Sequence, residues 1–365
     1  MRSGKIGLVR SERDVFELSG PLPRAGWNIA RWLYRVGSSS RLVGTLYSHI
    51  RHTNDYNRPG LLMNLMGRDI RKHFLSDTRL VVVSHPSLVG ILAHRKNLIY
   101  QHGELIVPEE ARVSGASLII VPTHQVAECY LQAGYSTDQL YVSGLCIEPA
   151  LVKQAEDMFS QRRFRLETYP TLTGAFFSSG AEPRSHVDTL ARAVLSVTAN
   201  DGRAIIFARR NGRLAAAVRS HFNHRPGQLV QINSSSQIPA ELPSALLIEF
   251  SSRREENIFT SRFFPHFDYL VSPAHERTNW AVGLGLPIFI VGPSIGPFAP
   301  LNRQLILNHG VGLDADPLPG ATLAGAVSKL RSTGRLMEML TAGWGRYPIN
   351  GFERIADELF RRYAE

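Results

Sequence analysis

The residues best suited to chemistry sit where apolar runs end. Ala204, Ile205, Ile206, Phe207 and Ala208 run straight into Arg209, Arg210, Asn211 and Gly212, and the helix-like stretch LAAAVRSHF follows. A buried strand that delivers guanidinium, amide and glycine groups to a helix N-terminus can hold a polyanion or a nucleotide. Phe176 and Phe177 lead in the same way into Ser178, Ser179 and Gly180. Loop amides there can bind phosphate without a charged side chain, and a plain strand-to-helix turn explains the same residues. The segment NLIYQHGE, 97–104, brings Gln101, His102 and Glu104 to a strand end, and a histidine or a raised carboxylate can serve as a general base near neutral pH. His85, in VSHP, ends another run, where it is equally suited to contact a substrate or to hold a loop by hydrogen bonds.

Positioning these groups requires parallel sheets. Short β-rich runs at 5–10, 80–84, 97–100, 118–121 and 140–142 alternate with helix-like segments, and a second set follows at 174–177, 204–207, 229–232, 246–250, 269–271 and 288–291. Repeated strand–helix alternation is the pattern of βαβ units, so the spacing predicts an α/β protein with two Rossmann-like halves. The expected boundaries are 1–150 for the first domain, 151–345 for the second, and 346–365 for a terminal helix that returns to the first. The charged stretch 149–170 forms the expected crossover.

A chain of 365 residues exceeds what one core usually serves, in keeping with two domains. Hydrophobic residues make up 44% and charged residues 20%, an ordinary globular balance. Cys129 and Cys146 are too few for a disulfide framework or a zinc site, which points to a reducing compartment. The apolar runs are short and broken by Gly and Pro, and no signal peptide is expected at the start. A net charge of +10 calls for an anionic partner, either nucleic acid or membrane. No helix-turn-helix, zinc-finger or RNA-recognition signature favours nucleic acid, and no clustered carboxylates suggest a metal.

The segment 21–52 interleaves Trp27, Trp32, Tyr34, Leu42 and Tyr47 with Arg24, Arg31, Arg35, Arg41 and Arg51. Aromatics at a headgroup boundary and arginines against anionic lipid are what a peripheral membrane element needs. An amphipathic helix pair packed on a sheet would show the same pattern.

Three longer stretches share one resemblance. They are LIIVPTHQVAECYLQAGYSTDQLYVSGLCIEP at 118–149, YLVSPAHERTNWAVGLGLPIFIVGP at 269–293, and GPFAPLNRQLILNHGVG at 296–312. In these the chain resembles the GT-B glycosyltransferases, in particular the branch of monogalactosyldiacylglycerol synthases and the N-acetylglucosaminyltransferase of lipid II synthesis. The resemblance implies a GT-B fold, two parallel-sheet domains facing across a cleft. It implies metal-independent, inverting transfer from a UDP-sugar, with no cofactor, to a lipid or membrane-associated hydroxyl by a cytoplasmic protein peripheral at the membrane. His102 then stands as base, with Glu104 as its orienting partner or as the base itself. Donor contacts fall to Ser178, Ser179, Gly180, Arg209, Arg210, Asn211, His275, Glu276, Thr278, Asn279, Asn302 and Gln304. Acceptor or membrane contacts fall to Trp27, Arg31, Trp32, Arg35 and His85. Two departures stand out. The run KIGLVRSERDV lacks the glycine-rich, His-bearing loop of the family, and Trp280 occupies the place of its ribose-binding glutamate. A catalytically silent GT-B-like binding protein and a nucleotide-sugar epimerase are the alternative readings.

Overall fold

The computed structural model describes residues 13–37, 56–224, 227–234, 237–275, 277–315 and 322–363. The expected strand at 5–10, the residues Leu42, Tyr47, Arg41 and Arg51, and Glu276 lie outside the described residues. Two compact units divide the chain, the first comprising Met1–Cys146 with Pro348–Glu365 and the second Ile147–Tyr347.

The first unit is built on a four-stranded parallel sheet in sequential order. Its strands are β1 (Val81–Val83), β2 (Leu98–Gln101), β3 (Leu118–Val121) and β4 (Leu140–Val142). Val82 pairs with Ile99, Ile99 with Leu118, and Ile119 with Leu140. β3 is buried along its length because all four of its side chains are apolar, as expected of a strand covered on both faces. Among the described residues, β1 is preceded by α1 (Pro21–Gly37), α2 (Leu61–Met66) and α3 (Arg68–Phe74). Next come α4 (Pro86–Leu92), after β1, and α5 (His124–Gln132), after β3. Thr123 caps α5 by accepting from the Val126 amide at 3.2 Å.

The second unit carries a seven-stranded sheet, every pair parallel, in the order β11-β10-β9-β5-β6-β8-β7. After α6 (Pro149–Val152) and α7 (Ala155–Thr168), the chain alternates strand and helix: β5 (Thr173–Phe177), α8 (Arg184–Thr198), β6 (Arg203–Arg209), α9 (Arg213–Phe222), β7 (Leu229–Ile232), β8 (Ala245–Phe250), α10 (Arg253–Phe263), β9 (Tyr269–Ser272), α11 (Thr278–Gly283), β10 (Ile288–Ile290), α12 (Phe298–Asn308) and β11 (Gly312–Asp314). Helices α13 (Leu323–Ser332) and α14 (Arg335–Gly343) complete it. α15 (Gly351–Tyr363) belongs to the first unit, where Ile355 packs with Ile99, Leu118 and Ile120.

The second sheet is wound to both sides of β5. From β5 the chain moves out to β6 and to the edge strand β7, steps back to β8 between them, and then resumes on the other side of β5 with β9, β10 and β11. Ligands of open parallel sheets bind beyond the carboxyl ends of the strands at such a reversal, here between β5 and β9. Phe176, Phe207, Leu247, Val271 and Phe289 are buried beneath that edge. Fully burying a side chain of this size contributes about 1.5–3 kcal/mol. The edge therefore rests on a rigid floor.

Two arginines, Arg162 buried and Arg165 half-buried, tie α7 to the sheet. Arg162 is fully buried and donates from Nε to the Phe267 carbonyl at 2.7 Å and from Nη1 to the Leu284 carbonyl at 2.8 Å. Burial pulls its pKa down to about 9. Arg165 pairs with Asp268 at 2.7 Å, and Asp268 also accepts from the Thr173 amide at 2.8 Å, fixing where β5 begins.

Candidate functional site

β5 and β9 lie side by side, with Phe176 opposite Val271, so their following loops start next to each other. The loop from β5 carries Ser178, Ser179 and Gly180 and enters α8 through Pro183. Ser178 and Ser179 are half-buried, and Gly180 is exposed. The hydroxyl oxygens of Ser178, Ser179 and Ser185 are buried without a hydrogen-bond partner, and so is Nδ1 of His186. Buried polar atoms cost about 1–3 kcal/mol each when unpartnered, so four of them within nine residues mark a place for a ligand or ordered water. No side chain caps the N-terminus of α8. The end of a helix of 15 residues carries partial positive charge, which suits an anion.

His186 is fully buried, and its Nε2 lies 2.8 Å from the Pro293 carbonyl beyond β10. A carbonyl only accepts, so Nε2 carries the proton. Burial holds the ring below its ordinary pKa, and the neutral ring presents Nδ1 as an acceptor. His186, Ser185 and Glu182 were not among the sequence-predicted residues. A lone histidine in the first turn of an amphipathic helix, on the same face as buried Leu190 and Val194, reads as part of the core face.

The second expected anion site is already filled. Glu182, buried at the end of the β5 loop, accepts from the Arg213 amide at 2.5 Å, at the N-terminus of α9. This carboxylate is the anion that the glycine-led helix start after Arg209 and Arg210 attracts. Arg209 and Arg210 are exposed, and Arg210 donates to the Asn233 carbonyl at 3.2 Å. Asn211 adopts φ +58 and its amide points to Glu249 at 3.4 Å. These three residues therefore flank an internal cap instead of an open phosphate cradle.

The loop from β9 holds its shape through its own bonds. Thr278 donates to the His275 carbonyl at 2.6 Å, and fully buried Asn302 donates to the Ala274 carbonyl at 3.3 Å. Thr278 and Asn279 are buried in α11, while Gln304 is exposed and bonds Asn308 at 2.7 Å. Gln304 thus turns away along its own helix. Arg277 pairs with buried Glu256 and stacks over the Phe177 ring at 4.1 Å. Trp280 is core, edge-on to Phe177 and Phe264, with its indole N–H directed to Glu148 at 3.4 Å.

In the first unit, His102 is buried to 2% exposure and both ring nitrogens are engaged. Nε2 meets the Ile106 carbonyl at 3.0 Å and Nδ1 meets the Tyr100 hydroxyl at 3.1 Å. Burial lowers its pKa to about 4. The ring is enclosed and engaged by a loop carbonyl and a tyrosine hydroxyl. Glu104 is half-buried on the loop beyond β2. His85 caps α4, accepting from the Ser87 amide at 3.2 Å, with Nδ1 2.7 Å from the Ser87 hydroxyl.

On α1, Leu22, Ile29 and Trp32 share one face and are 61%, 57% and 58% exposed. Trp27 is half-buried on another face, and the side chains of Arg31 and Arg35 lie outside the described residues. Helix α2 adds exposed Leu61, Leu62 and Leu65 beside it. Among the described residues, no helix is long and apolar enough to cross a membrane, and no group of three or more His, Cys, Asp or Glu residues could hold a metal ion.

No family model matches the chain, and no curated protein does. Solved structures do share its fold. The UDP-GlcNAc 2-epimerase of Neisseria meningitidis, bound to UDP-GlcNAc, aligns at TM-score 0.55 and 11% identity over 82% of this chain and 81% of that one. The S. aureus protein MnaA, solved with UDP, aligns at TM-score 0.54 and 12% identity over 82% and 78%. The calicheamicin glycosyltransferase CalG4 aligns more loosely, at TM-score 0.48 and 12% identity over 83% and 81%. At these identities the likeness is one of fold: two Rossmann-like units with all-parallel sheets, the GT-B class.

Proposed function

We propose that the protein binds a nucleoside-diphosphate sugar, a UDP-sugar, at the reversal point of the second sheet and transfers the sugar to a hydroxyl of a lipid or membrane-associated acceptor. The observation that supports this reading is the buried, unpartnered set of Ser178, Ser179, Ser185 and His186 at the uncapped start of α8, on a fold shared with a protein solved with UDP-GlcNAc. Serine hydroxyls and the helix start would take the diphosphate, and Nδ1 of His186 would accept from a ligand hydroxyl. Charge developing on the departing diphosphate is then stabilised by groups already in place.

Transfer would be a single displacement. The acceptor oxygen bonds to the anomeric carbon, the bond from that carbon to the diphosphate breaks, and UDP leaves, inverting the centre. Glu104, one member of the predicted pair, would take the acceptor proton. The exposed apolar face of α1 and α2 supports a membrane-associated acceptor and, with a net charge of +10, an anionic membrane surface at the cytoplasmic side. The motif resemblance to the glycolipid and lipid II transferases points the same way.

A second reading is epimerisation of the bound sugar nucleotide, favoured by the alignment above TM-score 0.5 with the UDP-GlcNAc 2-epimerase of Neisseria meningitidis. Incubation with radiolabelled UDP-GlcNAc or UDP-galactose and lipid vesicles separates the readings. Label in the organic phase supports transfer, a new sugar nucleotide in the aqueous phase supports epimerisation, and bound but unchanged donor supports a silent binding protein.

A further inference from the structure

Phe177 is the last residue of β5, and the serine loop begins with the next one. Its ring is buried, stacked on Phe207 at 4.3 Å and edge-on to Trp280 at 5.6 Å. The guanidinium of Arg277 lies 4.1 Å from the centre of the same ring, a cation on an aromatic face. Arg277 is itself buried, so the end of the β9 loop delivers a charge to the floor beneath the β5 loop. Along the ring and the backbone that charge is within about 10 Å of the Ser178 amide, one Debye length at ordinary salt.

Glu256, on α10, faces the Arg277 guanidinium. This carboxylate is buried as well, and it also takes Arg253, an exposed side chain, at 3.0 Å. Two guanidinium groups on one carboxylate leave the ion cluster with a positive charge. Glu148, close by, accepts from the indole N–H of Trp280 at 3.4 Å. A buried ion pair adds little net stability over apolar packing, because desolvation offsets the attraction. What it adds here is a field, which reaches further through a protein interior than through water. Arg209 and Arg210 are exposed, where salt screens them.

We propose that Arg277 is a positioning residue for the phosphates of the ligand. It touches none of them, fixes Phe177 and through it the Ser178–Ser179 loop, and sets the positive potential that the phosphates meet, while Glu256 holds that potential down. The proposal rests on the sugar-nucleotide reading given above and assigns the charge selectivity of that site to a residue outside it. The two members of one ion pair then act on ligand binding with opposite signs. Packing alone would give them the same sign, since losing either loosens the same floor.

Calorimetric titration of the full chain with UDP, and with the less charged UMP, tests this. Glu256→Gln keeps the shape of the side chain and removes the countercharge, so it should bind UDP about three-fold tighter or more. Arg277→Met should bind UDP about five-fold more weakly or worse, with a smaller loss for UMP. Arg277→Lys restores the charge without the planar stack, and it should return UDP to within about two-fold of wild type. Thermal melts of each variant record the packing contribution separately. UDP affinity that falls or stays level in Glu256→Gln, or an Arg277→Lys as weak as Arg277→Met, would overturn the charge role. Should Arg277→Met not fold, Glu256→Gln and Arg277→Lys decide the matter alone. Failure of the wild type to bind UDP removes the sugar-nucleotide site and this proposal together, whereas UDP binding indifferent to both charges keeps the site and removes Arg277 from it.

Discussion

His186 and Pro293 meet across the crest of the second sheet, the imidazole Nε2–H donating to the proline carbonyl at 2.8 Å. That bond fixes the tautomer and leaves Nδ1, buried and unpartnered, as an acceptor. A sugar or ribose hydroxyl satisfies it, and a fully ionised phosphate oxygen does not. Loss of one such hydrogen bond, about 1 kcal/mol, corresponds to a roughly five-fold weaker complex. His186→Ala should therefore bind a UDP-sugar roughly five-fold more weakly by calorimetry while its melting temperature shows the fold intact. An unchanged affinity would detach His186 from the ligand.

Glu182 caps α9 as an internal anion. Glu182→Ala should destabilise the second unit by about 0.5–2 kcal/mol, the usual cost of losing an N-cap. Urea unfolding followed by a probe in that unit measures it. A stability equal to wild type would mean that the bond to the Arg213 amide contributes nothing.

The pH dependence of the first unit follows from His102, held near pKa 4 in the fold against about 6.5 in the unfolded chain. Its folded pKa is depressed, so between these values the unfolded state binds more protons. Its contribution is intact above pH 6.5 and is lost as pH falls towards 4, with a slope of about 1.4 kcal/mol per pH unit at most. Thermal melts at pH 7, 6, 5 and 4 should show this decline, and His102→Gln should flatten it. A wild-type profile already flat in this window would contradict the burial of a neutral ring.

Membrane contact should depend on the exposed residues of α1 and less on its half-buried one. Ile29→Ala with Trp32→Ala should lower co-sedimentation with phosphatidylglycerol vesicles about ten-fold or more, since each large apolar side chain removed from water is worth about 1.5–3 kcal/mol. Trp27→Ala should have a smaller effect. Equal effects, or none, would remove this face from the membrane account.

The strands of the second sheet were legible because Phe176, Ile206, Leu247 and Val271 belong to continuous apolar runs between glycine, proline and polar breaks. β11 was not, since Gly312–Asp314 has only Leu313 as an apolar side chain. The burial of His102 was not legible because a strand end suggests exposure. The alternation of β2 continues past its end, so His102 falls on the same face as buried Tyr100. The serine loop was readable from its small residues ahead of a helix. Its acceptor, His186, depends on a carbonyl more than a hundred residues away, and Glu182 depends on φ +47 folding its carboxylate onto a neighbouring helix. Neither relation is written in local sequence.

The central claim is that the start of α8 forms a sugar-nucleotide site, and calorimetric titration of the full chain with UDP-GlcNAc and UDP-galactose tests it most directly. The account predicts saturable one-to-one binding of at least one of them, weakened in His186→Ala and in Ser178→Ala with Ser179→Ala. No binding of either donor up to millimolar concentration, or binding that ignores all three substitutions, would contradict it.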